Sequence, residues 1–198
     1  VVSPSTLTAL IADRELAKHP GSTIIHNLIT SKSVPEVVIE SGGTPVKTRV
    51  GHSFIKGTMA ETDAVFGGEH SGHFYFRDFW RADSGMLAAM HALAALGGAP
   101  EGTTLSSMLT TYDRYAASGE INTKVDDQAA ITAKIEDHYA AQGGVATDHM
   151  DGLTVDGGDW WFNVRPSNTE PLLRLNVEAK DNATMEQLRD DVLAMMRG

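Results

Sequence analysis

The stretch Gly67-Gly68-Glu69-His70-Ser71-Gly72-His73 separates an apolar run, 64–66, from an aromatic run, 74–76. Aromatic and β-branched residues bounded by glycine favour extended backbone, so both flanks are predicted to be short strands. The glycines allow the loop between them to turn tightly and to approach a ligand closely. The loop carries a carboxylate, a hydroxyl and two imidazoles, which together can hydrogen-bond the hydroxyl groups of a sugar. A plain polar turn between two strands is the alternative for the same residues.

Apolar segments alternate with helical patterns along the first half of the chain. Strands are predicted at 22–25, 44–50 and 64–66, with helices between them. This alternation indicates an α/β domain with a mixed, mainly parallel sheet. Ligands of such sheets bind at the loops that follow the carboxyl ends of the strands. We therefore expect His52 and the loop 69–73, which each follow a strand, to converge on one site.

Two more helices are predicted before the chain changes character. The first covers 83–96 with Asp83 as its N-cap, and its apolar stripe is interpreted as core: Met86, Leu87, Met90, Leu93 and Ala94. The second covers 104–117. Ser118-Gly119 then predicts a short, flexible link between two domains, residues 1–118 and 119–198.

The second half predicts a small α+β domain with an antiparallel sheet. Its strands are expected at 120–125, 152–155, 160–164 and 172–179, and its helices at 127–142 and 184–196. The glycine-rich turn at 156–159 lies between two of these strands, which is typical of a β-hairpin.

A second polar loop, Arg165-Pro166-Ser167-Asn168-Thr169-Glu170-Pro171, also lies between strands. The guanidinium of Arg165 matches the geometry of a phosphate group. Ser167, Asn168 and Thr169 add side-chain donors, and successive backbone N–H groups of a turn can surround an anion. An ordinary polar turn remains the alternative. One loop suited to hydroxyl groups and one suited to phosphate together indicate a phosphorylated sugar as ligand.

Composition and charge exclude several classes of protein. The 198 residues are 41% hydrophobic and 21% charged, there is no cysteine, and the formal net charge is −10. A strongly acidic surface repels nucleic acid, and no apolar run approaches the length that spans a membrane. We expect a cytoplasmic protein, with which the absence of cysteine and of a signal-peptide pattern agrees. Because the chain starts without Met, we interpret it as a fragment, a processed product or a trimmed form of a longer protein. The stretch 44–81 is exceptional because its basic residues outnumber its acidic ones, so an anion is expected to bind near it.

Three motifs resemble those of the α-D-phosphohexomutases, the family of phosphomannomutases and phosphoglucomutases. Residues 68–73 resemble the sugar-recognition loop of the family's third domain, and residues 50–56 resemble an active-site segment of the same domain. Residues 165–171 resemble the phosphate-binding loop of the fourth domain. The resemblance covers the whole chain, and the motifs occur in the family's order.

This resemblance implies an activity and a set of roles. The family moves a phosphoryl group between O1 and O6 of a hexose through a bisphosphorylated intermediate. By matching motif, the sugar would be bound by Glu69, Ser71, His73 and Lys56, and the non-reacting phosphate by Arg165, Ser167, Asn168 and Thr169. His52 or His73 would assist proton transfer, since an imidazole titrates near neutral pH.

Two family segments have no match in this sequence: the one with the phosphorylated serine and the acidic loop that holds magnesium. The resemblance therefore implies a C-terminal half, inactive alone, whose partners are a mannose or glucose phosphate and the N-terminal half of the enzyme. Magnesium is expected in the full-length protein and no metal in this chain. A non-catalytic sugar-phosphate binding module, a phosphoglucomutase and a phosphoglucosamine mutase remain alternatives.

Overall fold

The computed structural model describes residues 2–167 and 170–198. The chain forms two compact units, the first ending at Arg114 and the second beginning at Tyr115. Within the described residues, every helix is too short or too polar to cross a membrane.

The first unit is an α/β fold around a five-stranded sheet of order β2-β1-β3-β4-β5. Strand β1 is parallel to both β2 and β3, whereas β4 and β5 are antiparallel additions at one side. This is the mixed, mainly parallel sheet predicted from the sequence. In chain order the elements are α1 (Pro4–Lys18), β1 (Thr23–Asn27), α2 (Ser33–Glu40), β2 (Thr44–Thr48), α3 (His52–Thr62), β3 (Phe66–Gly68), β4 (Phe74–Phe76), a 3₁₀ turn (Arg77–Phe79), β5 (Ala82–Asp83), α4 (Gly85–Gly97) and α5 (Leu105–Leu109).

The core of the first unit lies on both faces of strand β1. Ile24 packs with residues of α1 and α2, while Ile25 packs with Ile55 and Met59 of α3. A strand buried on both faces is what a parallel sheet with helices on either side requires. The loops after β1, β2 and β3 therefore emerge at one edge of the sheet.

Helix α4 differs from its prediction. Ser84, and not Asp83, caps it, because the Ser84 hydroxyl accepts a hydrogen bond from the backbone N–H of Leu87. The predicted core stripe is also wrong in part, since Met86 is 75% exposed and Met90 and Leu93 are more than half exposed. The small residues of α4 make its buried contacts instead, which allows the helix to approach its neighbours closely.

The predicted helix 104–117 is mostly absent. Helix α5 ends at Leu109, and strand β6 begins at Ala116. The β-branched residues Thr110 and Thr111 follow α5, and the hydroxyl of Thr110 donates to the carbonyl of Ser107. Such side chains compete with the helical backbone pattern, which accounts for the early end.

The second unit is an antiparallel sheet with two helices on one face, as predicted. Strand order is β6-β10-β9-β8-β7. Its elements are β6 (Ala116–Lys124), α6 (Gln128–Gln142), β7 (Ala146–Asp148), β8 (Leu153–Asp156), β9 (Trp160–Pro166), β10 (Leu172–Ala179) and α7 (Asn182–Arg197). Alternate residues of β9 and β10, including Phe162, Val164 and Leu173, pack in the core with residues of α6 and α7. Residues 167–171 connect β9 and β10, so Arg165 and Pro166, which the sequence placed in the polar loop 165–171, are the last residues of β9.

Ser118 and Gly119 lie inside strand β6, so the segment expected to be a flexible link is a paired strand. The Ser118 hydroxyl accepts a hydrogen bond from the backbone N–H of Val177 in β10. The β6–β10 register shifts between Asn176 and Glu178, and Gly119 has a φ of +68°. Glycine is suited to such a bulge because it adopts positive φ without strain.

Candidate active site

A cavity of about 380 Å³ lies at the carboxyl edge of the first sheet. It is lined by Val50, Gly51, His52, Lys56, Glu69, Ser71, His73, Tyr75 and Asp83. The structure therefore brings together His52, Lys56, Glu69, Ser71 and His73, the five candidates proposed for the first domain. Their convergence follows from the parallel pairing of β1 with β2 and β3, which places the following loops side by side.

Glu69 is the buried carboxylate of the cavity lining, with only 2% of its surface exposed. The hydroxyl of Tyr75 donates to Oε1 at 2.6 Å. Oε2 accepts from the side-chain amide of Asn27 and from the backbone N–H of Gly51, both at 3.3 Å. A carboxylate has about four acceptor positions, so three protein donors fix its orientation and leave room for a ligand hydroxyl.

Two neighbouring side chains complete the support of Glu69. The Thr30 hydroxyl donates to Asn27 Oδ1 at 2.7 Å, which turns the amide nitrogen of Asn27 toward the carboxylate. Burial, followed by the hydrogen bond to Glu69, raises the pKa of Tyr75. The phenol therefore stays protonated and remains a donor.

The loop 69–73 is closed by its own backbone and is anchored on helix α1. Glu69 N–H donates to the His73 carbonyl at 2.9 Å. His70 Nδ1 lies 3.1 Å from the Ser5 hydroxyl. Gly68 packs so closely on α1 that a Cβ there would lie 2.4 Å from the Thr8 hydroxyl. Gly68 is therefore required because a side chain would clash with α1. Its backbone does not adopt a positive φ.

His73 and Asp83 form a pair at the rim of the cavity. His73 Nδ1 lies 2.7 Å from Asp83 Oδ2, while Asp83 Oδ1 accepts from the backbone N–H of Phe74 at 2.8 Å. The carboxylate holds the proton of the imidazole on Nδ1, so Nε2 is the ring nitrogen left for a ligand. The sequence pointed to His73 but assigned Asp83 to a helix cap, because the pairing of β4 with β5 that brings the two together is not a local pattern.

His52 and Lys56 are exposed side chains of the first two turns of helix α3. Their spacing of four residues places them on the same face of the helix. Ser71 is also exposed, at the tip of the loop 69–73. The cavity thus combines a buried, fixed carboxylate with an exposed cation and exposed polar groups.

The second loop is only partly described. Asn168 and Thr169 lie outside the described residues. Ser167 is buried, with 8% of its surface exposed, and its backbone N–H donates to the Leu172 carbonyl at 2.9 Å. Arg165 is largely buried as well, and its Nη2 donates to Glu120 Oε2 at 2.8 Å.

The sequence patterns did not indicate four residues that support the site: Asn27, Tyr75, Asp83 and Glu120. Each acts on a predicted residue through a contact between separate strands or loops, which motif spacing does not contain. Among residues 2–167 and 170–198, no three His, Asp or Glu side chains are grouped so that they could hold a metal ion.

Comparison with known families assigns both units. Residues 3–115 match the family model described as "Phosphoglucomutase/phosphomannomutase, alpha/beta/alpha domain III". Residues 120–195 match the model described as "Phosphoglucomutase/phosphomannomutase, C-terminal domain". The chain belongs to the phosphoglucomutase/phosphomannomutase family. The resemblance predicted from the three motifs is confirmed.

Individual members of the phosphoglucomutase/phosphomannomutase family extend this assignment. The chain is 41% identical over 192 residues to a phosphomannomutase of Methanocaldococcus jannaschii, covering 97% of this chain and 42% of that protein. A family protein of Burkholderia thailandensis has a crystal structure with a TM-score of 0.84 at 27% identity, over 99% of this chain and 42% of the other. The chain therefore spans less than half the length of these relatives and corresponds to their C-terminal half.

A more distant solved structure has the same fold. The N-acetylphosphoglucosamine mutase of Aspergillus fumigatus, crystallised with GlcNAc-6P and magnesium, has a TM-score of 0.67 at 13% identity. The match covers 98% of this chain and 43% of the fungal protein.

Proposed function

We propose that this chain supplies sugar recognition and phosphate binding to a phosphomannomutase-type enzyme that interconverts hexose 1-phosphates and 6-phosphates through a bisphosphorylated intermediate. The observation that carries the proposal is Glu69, a buried carboxylate that three donors hold at the edge of a cavity. The fungal relative crystallised with a hexosamine 6-phosphate supports the ligand class.

In this proposal the first unit binds the sugar. Glu69 accepts a hydrogen bond from a sugar hydroxyl, and Ser71 can donate to or accept from its neighbour. Lys56 contributes a positive charge at the mouth of the cavity, where a phosphate of the substrate would be favoured. Because Glu69 is held before the ligand arrives, little conformational entropy is lost on binding.

His73 is the proposed proton-transfer group. Asp83 Oδ2 lies 2.7 Å from Nδ1 and orients the ring, which leaves Nε2 for the substrate, an arrangement that suits a general acid or base. Nε2 would take the proton of the attacking hydroxyl or return it to the leaving oxygen. His52, which lines the same cavity, would contact the phosphoryl group.

The second unit binds the phosphate that does not react. Arg165 supplies the charge and Ser167 a hydroxyl, and Asn168 and Thr169 are proposed as further donors. Magnesium is proposed to be held by a segment outside this chain, as the family resemblance implies. The phosphorylated serine is likewise proposed to lie in a segment outside this chain, so that this chain alone would not turn over substrate.

The test is calorimetric titration of the chain with mannose 1-phosphate and glucose 1-phosphate. Glu69→Gln keeps the size of the side chain and removes its charge, and Glu186→Gln on the surface of α7 is the matched control. We expect binding that Glu69→Gln weakens and Glu186→Gln leaves unchanged. Equal affinity of Glu69→Gln and the wild-type chain for both sugars would refute the role of Glu69.

A further inference from the structure

Three charged side chains form a cluster at the base of the loop 165–171. Arg165 is on β9, Arg174 on β10 and Glu120 on β6, three neighbouring strands. Arg174 lies directly opposite Arg165, and Glu120 lies opposite Asn176, two positions further along β10. Side chains two positions apart share one face of a sheet, so all three point to the same side.

Glu120 joins the two arginines with separate oxygens. Its Oε2 lies 2.8 Å from Arg165 Nη2, and its Oε1 lies 3.3 Å from Arg174 Nη1. The exposed fractions of the side chains are 12% for Arg165, 29% for Glu120 and 33% for Arg174. Within the described chain, the Nε atoms of both arginines are buried and lack a hydrogen-bond partner.

Because Glu120 pairs with two arginines, the cluster is not electrically neutral. A guanidinium and a carboxylate pair best through two parallel hydrogen bonds, and such a pair is neutral. Each arginine contacts a different oxygen of Glu120, so the charge of one carboxylate is shared between two guanidinium groups. The cluster of two cations and one anion keeps a net charge of +1, next to a loop already assigned to phosphate.

We propose that Arg174 is a positioning residue for the phosphate site, acting through Glu120. Its positive charge offsets part of the charge of Glu120, so that Glu120 holds the guanidinium of Arg165 in place while the cluster stays positively charged. This inference rests on the proposed phosphate-binding role of Arg165. Neither Arg174 nor Glu120 was indicated by the sequence, because their connection runs across three strands.

A double-mutant cycle tests the inference. The affinity of the chain for glucose 6-phosphate is measured by calorimetry at fixed ionic strength for Arg174→Gln, Glu120→Gln and the double variant. Arg174→Gln should weaken binding about five- to tenfold, the range of one charge-assisted hydrogen bond. In the Glu120→Gln background the same substitution should change affinity less than about twofold, since no carboxylate remains to be shared.

Two further variants separate the specific effect from general ones. Arg174→Lys retains a cation for Glu120 and should bind like the wild type. Arg189→Gln removes one positive charge from helix α7, where Arg189 pairs with Asp190, and should also bind normally. Circular dichroism of each variant checks that the chain is folded. A folded Arg174→Lys variant with weakened binding would overturn the inference even where Arg174→Gln fails to fold.

The measured affinities decide whether Arg174 acts through Glu120. An equal loss from Arg174→Gln in both backgrounds would show direct contact with the phosphate and would overturn the inference. Normal binding by Arg174→Gln would overturn it as well, while the phosphate role of Arg165 would stand. If neither glucose 6-phosphate nor mannose 1-phosphate binds the wild-type chain, the phosphate-binding function fails first, and the inference with it.

Discussion

His26 should make the stability of the first unit depend strongly on pH. It lies on the central strand β1, is 7% exposed, and has Nδ1 3.1 Å from the Asn27 carbonyl. Burial, together with the nearby cation of Lys47 and partly offset by that hydrogen bond, lowers its pKa from 6.5 to about 4. The folded chain therefore disfavours the protonated imidazole.

The sign and size follow from linkage. Between pH 6.5 and about pH 4, the unfolded chain binds a proton at His26 and the folded chain does not. Protonation therefore favours the unfolded state, and the contribution of neutral His26 to the free energy of unfolding, which is complete above pH 6.5, is lost as the pH falls through this range. The whole difference in pKa corresponds to about 3 kcal/mol of unfolding free energy. Lowering the pH from 8 to 5 should remove about 2 kcal/mol of it.

The assay is urea unfolding at pH 8, 7, 6 and 5, followed through the amide NMR signals of strand β1. His26→Gln removes the titrating ring, and His149→Gln, an exposed partner of Glu136, is the matched control. The stability difference between wild type and His26→Gln should shrink by about 2 kcal/mol from pH 8 to pH 5. A constant difference over this range, or an equal change in the control, would refute the reasoning.

Three further substitutions test the site and the fold. Tyr75→Phe deletes the buried donor to Glu69 and should lower the free energy of unfolding by about 2 kcal/mol, measured in urea; an unchanged midpoint would contradict this hydrogen bond. Gly152→Ala places a Cβ 2.4 Å from the Val164 carbonyl at a φ of +71° and should destabilise the second unit by more than about 1 kcal/mol in the same assay. Met90→Gln alters an exposed face and should change stability by less than about 0.5 kcal/mol, so a larger loss would mean that this face is buried in solution.

Local sequence patterns predicted the loop 69–73, its position at the edge of the sheet and the β8–β9 hairpin. Glycines between aromatic and β-branched runs marked the loop 69–73, and the alternation of strands and helices indicated that this loop and His52 share an edge of a sheet. The cavity contains both. The same logic found the β8–β9 hairpin, where a glycine-rich turn separates two apolar strands.

Other features depend on contacts that no local pattern contains. Helix α4 is apolar on nearly every side, so periodicity could not tell which side is covered, and Met86 was assigned to the core although it is exposed. Glu69 was identified from its motif, but its supports, Tyr75 and Asn27, come from other strands. The strand pairing that brings them together is a property of the whole sheet.

The strand order of the second unit also constrains how a growing chain can fold. Strand β6 comes first in the sequence, yet its only partner in the described sheet is β10, and Ile121 pairs with Leu175. During synthesis β6 must therefore leave the ribosome and remain unpaired until nearly the whole unit has been made, whereas β7, β8 and β9 can pair as successive neighbours. Contacts between distant residues form slowly. Folding of this unit should consequently begin with the hairpins formed by β7, β8 and β9. It should finish when β10 pairs with β9 on one side and with β6 on the other.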